Sequence, residues 1–261
     1  MNPHVNDALQ LIFRWAHVVA GITWIGHLYF FNWVNGPLQG KLDGATKKAV
    51  NPELMPRALY WFRWGAAWTW ITGLLLAGLV YYQVKEQLFD QDHIGNPWLW
   101  LFITLVALAV GFVIYNAIMK ALANKVVAAA ICMVLYAGVY FLLECVGHYG
   151  GRALYIHAGM IFGTMMALNV WMVIWPNQKK IINALKAGTP LAADSPEVKI
   201  AGLRSRHNTY MSVPLVFTMI SNHYPTIYGS EYRDVYLGVI IVIGFVGAWL
   251  AYQKAAKVPG F

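Results

Sequence analysis

Long apolar stretches alternate with short polar ones along nearly the whole of this chain. About 20 consecutive apolar residues suffice to cross the hydrocarbon layer of a bilayer as a helix. Seven such spans are predicted, at about 9–34, 58–84, 98–119, 125–146, 152–175, 208–222 and 235–252. Pro97 precedes the third span, and Pro176 is expected to stop the fifth. The sixth is the weakest: short, polar at both ends, with Pro214 inside, where a kink or a rescued hydrogen bond is expected. The segment 176–206 is basic and holds Gly188, Pro190 and Pro196, so it reads as a surface connector with a short helix. No repeat or low-complexity segment appears. The fold class is therefore all-α, a polytopic membrane helix bundle forming a single transmembrane domain over residues 1–261.

Composition supports this. The 261 residues are 59% hydrophobic and 11% charged, against about 25% charged in a soluble domain. A soluble core of this size cannot hide so much apolar surface, which makes lipid the expected partner. Twelve Trp and fifteen Tyr suit the water–lipid boundary. Cys132 and Cys145 lie in one span, roughly 20 Å apart on a helix, beyond the reach of a disulfide. Residues 1–10 carry no Lys or Arg ahead of the first apolar run, so the first helix is expected to be retained.

The net charge of +8 is explained by topology. With the N-terminus outside and seven spans, one set of connections holds Lys41, Lys47, Lys48, Arg57, Lys120, Lys125, Lys179, Lys180, Lys186, Lys199, Arg204, Arg206, Lys254 and Lys257. The other holds Lys85, Arg152 and Arg233. Fourteen against three matches the positive-inside rule and puts the C-terminus inside. Nucleic-acid binding is not expected.

Polar groups at membrane depth are costly and tend to mark function. The spans carry Arg14, His17, His27, Arg63, Glu144, His157 and Asn169, with His148, His207 and His223 at their ends. Depth counted at about 1.5 Å per residue puts His17, His148, His157 and His223 in an outer layer. His27 and His207 fall in an inner one, and His4 and His93 at wet surfaces. Imidazoles facing each other across a bundle ligate a b-type haem, and also bind copper, zinc and non-haem iron. Arg14 sits one turn outward of His17, placed to hold a propionate. Gly21, Gly26, Gly159 and Gly163 let a flat ring or another helix come close. The plainer readings stay open: Gly159 and Gly163 as helix packing, the histidines as hydrogen-bond partners between helices, Arg63 as a snorkelling side chain, and the Met residues at 160, 165, 166 and 172 as packing.

Four stretches go further: RWAHVVAGITWIG at 14–26, LYWFRWGAAWTWITG at 59–73, RALYIHAGMIFGTMMALNVWMVIWPNQKK at 152–180 and RSRHNTYMSVPLVFTMISNHYP at 204–225. Together they resemble the membrane domain of the bacterial membrane-bound urate oxidases, urate hydroxylases fused to a C-terminal cytochrome c. The resemblance implies a bacterial cytoplasmic-membrane protein that oxidises urate and sends the electrons through haem to the respiratory chain. His17, His157, His207 and His223 fall in matching motifs, whereas His27 and His148 do not. No CxxCH motif occurs before the sequence ends at Phe261, so a separate c-type cytochrome is the expected electron acceptor.

The leading expectation is a haem-b membrane oxidoreductase. Its iron is held by His17 and His157, with His223 as the rival ligand and His207, His148 and His27 behind it. Arg14 sets the propionates. Asn222, His223 and Tyr224 bind substrate (urate or a quinol) or handle protons, and Asn208 and Tyr210 are the inner counterparts. The alternatives are a non-catalytic haem subunit of a larger respiratory complex and a transporter or channel. Against the last, no pair of broken helices lies in matching halves.

Overall fold

A computed structural model describes residues 2–90 and 95–258; His93 lies outside them. The described residues are helical almost throughout. The long helices are α1 (Pro3–Lys41), α2 (Gly44–Tyr82), α3 (Pro97–Ala121), α4 (Lys125–Val146), α5 (Gly151–Lys186), α6 (Pro196–Ile220) and α7 (Arg233–Ala255). All but α6 are long and apolar enough to cross a membrane. The expected sixth span thus exists as a helix but not as an apolar one. The physical reason is its content: Arg204, Asn208, Thr209, Ser212 and Thr218 are buried within it.

The helices outrun the predicted spans because hydropathy marks only the part that suits lipid. Pro176 does not stop α5. A π-helical turn, Asn169–Ile174, precedes it, and the helix resumes at Trp175 and runs to Lys186. The wider turn relieves the clash that a proline ring makes with the carbonyl one turn back. The expected connector 176–206 therefore shrinks to residues 187–195.

Exposed apolar side chains are abundant, as with Leu11, Trp15, Val126 and Val134, each at least 70% exposed. The helix that carries His157 and Asn169 is the reverse: 67% of the most apolar window of α5 is buried.

The chain divides into two compact units. The first comprises Met1–Leu11, Gly73–Met165 and Leu215–Gly238. Within it α3 and α4 form a hairpin with a cap at each start. Asn96 accepts from the N–H of Trp98, and Asn124 from those of Val126 and Val127. Lys125 Nζ donates to two carbonyls at the end of α3, that of Met119 and that of Leu122 just beyond the helix. Asn124→Ala is expected to lower stability by about 1 kcal/mol, read as a fall in the thermal midpoint of the purified protein. Tyr136 stacks on Phe162 at 4.4 Å, joining α4 to α5. A Cβ on Gly159 would run into the Thr218 hydroxyl, so the GxxxG spacing brings α6 close to α5. On α7, Arg233 pairs with Glu144 at 2.6 Å. Tyr140 donates to Asp234 at 2.7 Å. Neither cysteine is in a disulfide.

The second unit comprises Ile12–Thr72, Met166–Pro214 and Val239–Phe261. A Cβ on Gly65 would sit 3.0 Å from the Trp24 nitrogen, so α1 and α2 touch backbone to backbone there. Gly21 and Gly26 play no such part. A Cβ on Gly21 would make ordinary contact with Thr69, and one on Gly26 would meet nothing within 4 Å. Gly244 of α7 receives the ring of Pro214, whose Cδ would lie 2.8 Å from an added Cβ. Arg63 does not simply snorkel. Its guanidinium stacks 3.9 Å from the ring centre of Trp175, and its carbonyl accepts from the Trp171 indole at 2.9 Å.

Candidate functional site

In the first unit, His157 is the centre of a buried polar cluster. Its ring is 1% exposed. Nδ1 donates to the Ala153 carbonyl at 2.7 Å, one turn back on α5. That fixes the proton on Nδ1, so in the neutral ring Nε2 is the acceptor. The Tyr82 hydroxyl donates into it at 2.8 Å. The hydroxyls of Tyr82, Tyr149 and Thr104 lie 3.2 Å from one another. Tyr81, Tyr82 and Tyr149 set their rings edge-on to the imidazole, with centroids 5.9, 5.7 and 4.9 Å away. Burial raises the Tyr149 hydroxyl above the ordinary phenol range, partly offset by its bonds to Thr104 and Tyr82. It therefore stays protonated, as a donor.

Tyr81 and Tyr82 both reach His157 because they end a π-helical turn, Gly78–Tyr82. The extra residue in such a turn re-aims side chains, which is why these turns collect at functional sites. Glu144 and Asn169 also lie in π-helical turns, Leu142–Val146 and Asn169–Ile174.

Tyr81 links His157 to a second group in the same unit. Its hydroxyl donates to Asn222 Oδ1 at 2.9 Å. The same oxygen accepts from Arg152 Nε at 3.0 Å, and Arg152 Nη1 donates to Gln87 at 3.0 Å. Of the expected Asn222–His223–Tyr224 cluster, Asn222 enters this network, while His223 and Tyr224 are exposed. His148 is exposed and holds a left-handed backbone, φ 51°.

In the second unit, His17 is half-buried, and its Nδ1 donates to Thr72 Oγ1 at 3.1 Å. Thr72 in turn donates to the Trp68 carbonyl at 2.6 Å. The Thr69 backbone also hydrogen-bonds the His17 ring. Arg14, one turn along α1, is exposed. A groove of about 630 Å³ between α1 and α2 is lined by Trp15, Trp61, Trp64 and Trp68 and reaches Thr72. His27 donates from Nδ1 to the Thr23 carbonyl at 2.7 Å. Asn208 is fully buried, and its amide is spent as a clamp: it accepts from Asn169 at 2.9 Å and donates to the Met166 carbonyl at 3.0 Å. Tyr210 stacks on Tyr252, and His207 is half-buried.

These residues suit a haem in one respect. Metal-ligating histidines usually donate one ring N–H to a protein oxygen and present the other nitrogen, and His17, His27 and His157 each make the first of these bonds, from Nδ1. For His17, an open aromatic groove lies beside its hydrogen-bond partner, Thr72. For His157, Tyr82 occupies the presenting nitrogen. A bare metal ion fits less well: among the described residues no three His, Cys, Asp or Glu side chains gather.

Sequence reasoning missed Tyr81, Tyr82, Thr104, Tyr149, Arg152 and Gln87. The tyrosines read as boundary aromatics. The available signals were the Thr104 hydroxyl in the apolar first half of α3 and the run Gly147–Arg152 at a helix start.

A family model described as urate oxidase N-terminal matches residues 3–49 and 40–258. No curated protein matches the chain, and no solved structure does. The chain belongs to the urate oxidase N-terminal family.

Proposed function

We propose that this member of the urate oxidase N-terminal family is a haem-b membrane oxidoreductase. It takes electrons from urate and delivers them to a c-type cytochrome. Its setting is the bacterial cytoplasmic membrane, which it crosses seven times with the N-terminus outside and the C-terminus inside. The observation that carries the reading is the shared pose of the histidines, each proton-fixed at Nδ1.

His17 in the second unit and His157 in the first are each assigned as an iron ligand in their own unit. Haem supplies a one-electron carrier when bound. The chain's own residues do the rest. Thr72 holds the His17 ring by accepting from Nδ1. Ala153 does the same for His157, and the Tyr82 hydroxyl must turn aside to release its Nε2. Arg14, on the same face of α1 as His17, would hold a propionate. The exposed imidazole of His223 takes up protons that urate loses on oxidation.

The test is the reduced-minus-oxidised visible spectrum of the purified protein, with a pyridine haemochrome count. A b-type spectrum that His17→Ala diminishes is expected. Purified protein without a Soret band or iron refutes the reading.

A further inference from the structure

Two arginines of the first unit have opposite surroundings. Arg233 is neutralised by Glu144 at 2.6 Å and lies 3.9 Å from Asp234. Arg152 has no carboxylate within salt-bridge distance among the described residues. Its acceptors are neutral amide oxygens: Asn222 takes Nε and Gln87 takes Nη1, each at 3.0 Å. The Tyr81 ring centre lies 5.9 Å from the guanidinium carbon. Neutral acceptors orient a cation without cancelling its charge. The guanidinium is fixed on one side, and among the described residues its Nη2 makes no hydrogen bond.

We propose that Arg152, Gln87 and Asn222 form the recognition site for a planar, oxygen-rich heterocyclic anion of the urate class. This rests on the oxidoreductase reading above and names its substrate site. A guanidinium fork binds two adjacent acceptors on one edge of a planar anion. Gln87 is exposed, and its amide offers both a donor and an acceptor to the alternating N–H and C=O groups of such a ring. Tyr81 adds an aromatic face. It also sets its ring against His157 at 5.9 Å, so the site adjoins the buried hydroxyl–imidazole cluster through one side chain. A lipid phosphate shares the negative charge but lacks the flat, two-acceptor edge.

The test is calorimetric titration of anaerobic protein with urate, in nanodiscs of phosphatidylcholine alone and with added phosphatidylglycerol. Saturable binding is expected in both. Arg152→Gln should weaken it at least about tenfold. Arg152→Lys, which keeps the charge but loses the fork, should fall between. Gln87→Ala should weaken it several-fold and tests the site even where Arg152→Gln fails to fold. Three results overturn the proposal: no urate binding by the wild type, unchanged binding in Arg152→Gln or in Gln87→Ala, or loss of urate binding when phosphatidylglycerol is added, which gives the arginine to a lipid headgroup. Binding needs no haem, so failure of the haem assignment shows as a missing spectrum and failure of this site as unchanged or absent binding.

Discussion

Replacing His157 by Ala is expected to remove most of the b-type absorbance per folded protein and to lower stability by about 3 kcal/mol. The ring is 1% exposed and enclosed by three tyrosines. Truncation leaves a ring-sized cavity, and it strands the Tyr82 hydroxyl and the Ala153 carbonyl without their imidazole. Tyr82→Phe separates ligation from packing. It keeps the ring, deletes one hydroxyl at a cost of about 1 kcal/mol, and frees Nε2. If His157 holds iron, Tyr82→Phe keeps or raises haem content and shifts the electron paramagnetic resonance of the ferric state. If His157 is structural, both variants show the wild-type spectrum per folded molecule. Stability is read as the thermal midpoint in a fixed detergent.

Gly159→Val carries the second large effect, a loss of about 2–3 kcal/mol. An added Cβ would overlap the Thr218 hydroxyl and come 2.5 Å from the Met219 methyl. Thr218 cannot step aside cheaply, because it is fully buried and donates to the Leu215 carbonyl at 2.8 Å. The helices α5 and α6 must separate locally instead. Gly26→Ala is the control. A Cβ there meets nothing within 4 Å, so that variant is expected to be neutral or slightly stabilised. Equal thermal midpoints for Gly159→Val and wild type would refute the close packing of α5 on α6.

Hydropathy located the helices because lipid-facing surface needs only composition. It underrated α6 and misplaced the end of α5, for a related reason. Inside a bundle, a polar residue such as Asn208 is paid back by a specific partner, here Asn169 and the Met166 carbonyl, and no window average can see that pairing. Pro176 misled because the π-helical turn before it is not encoded in a single residue. The histidines were legible as costly groups at depth, but their partners were not. Tyr82 comes from a helix end 75 residues from His157 and Tyr149 from the short link between α4 and α5, and a tyrosine there looks the same whether it faces lipid or an imidazole. Four histidines were expected in one outer layer; His148, His157 and His223 fall in the first unit and His17 in the second. Arg152 was counted for topology alone. Its neutral partners, Asn222 and Gln87, became visible only in the fold.

Anaerobic addition of urate to the oxidised, purified protein, followed by visible spectroscopy, tests the central claim most directly. The account predicts that urate alone produces the reduced b-type spectrum, and that added oxidised cytochrome c reverses it. A protein that contains haem which dithionite reduces but urate does not, or one that contains no haem, contradicts it.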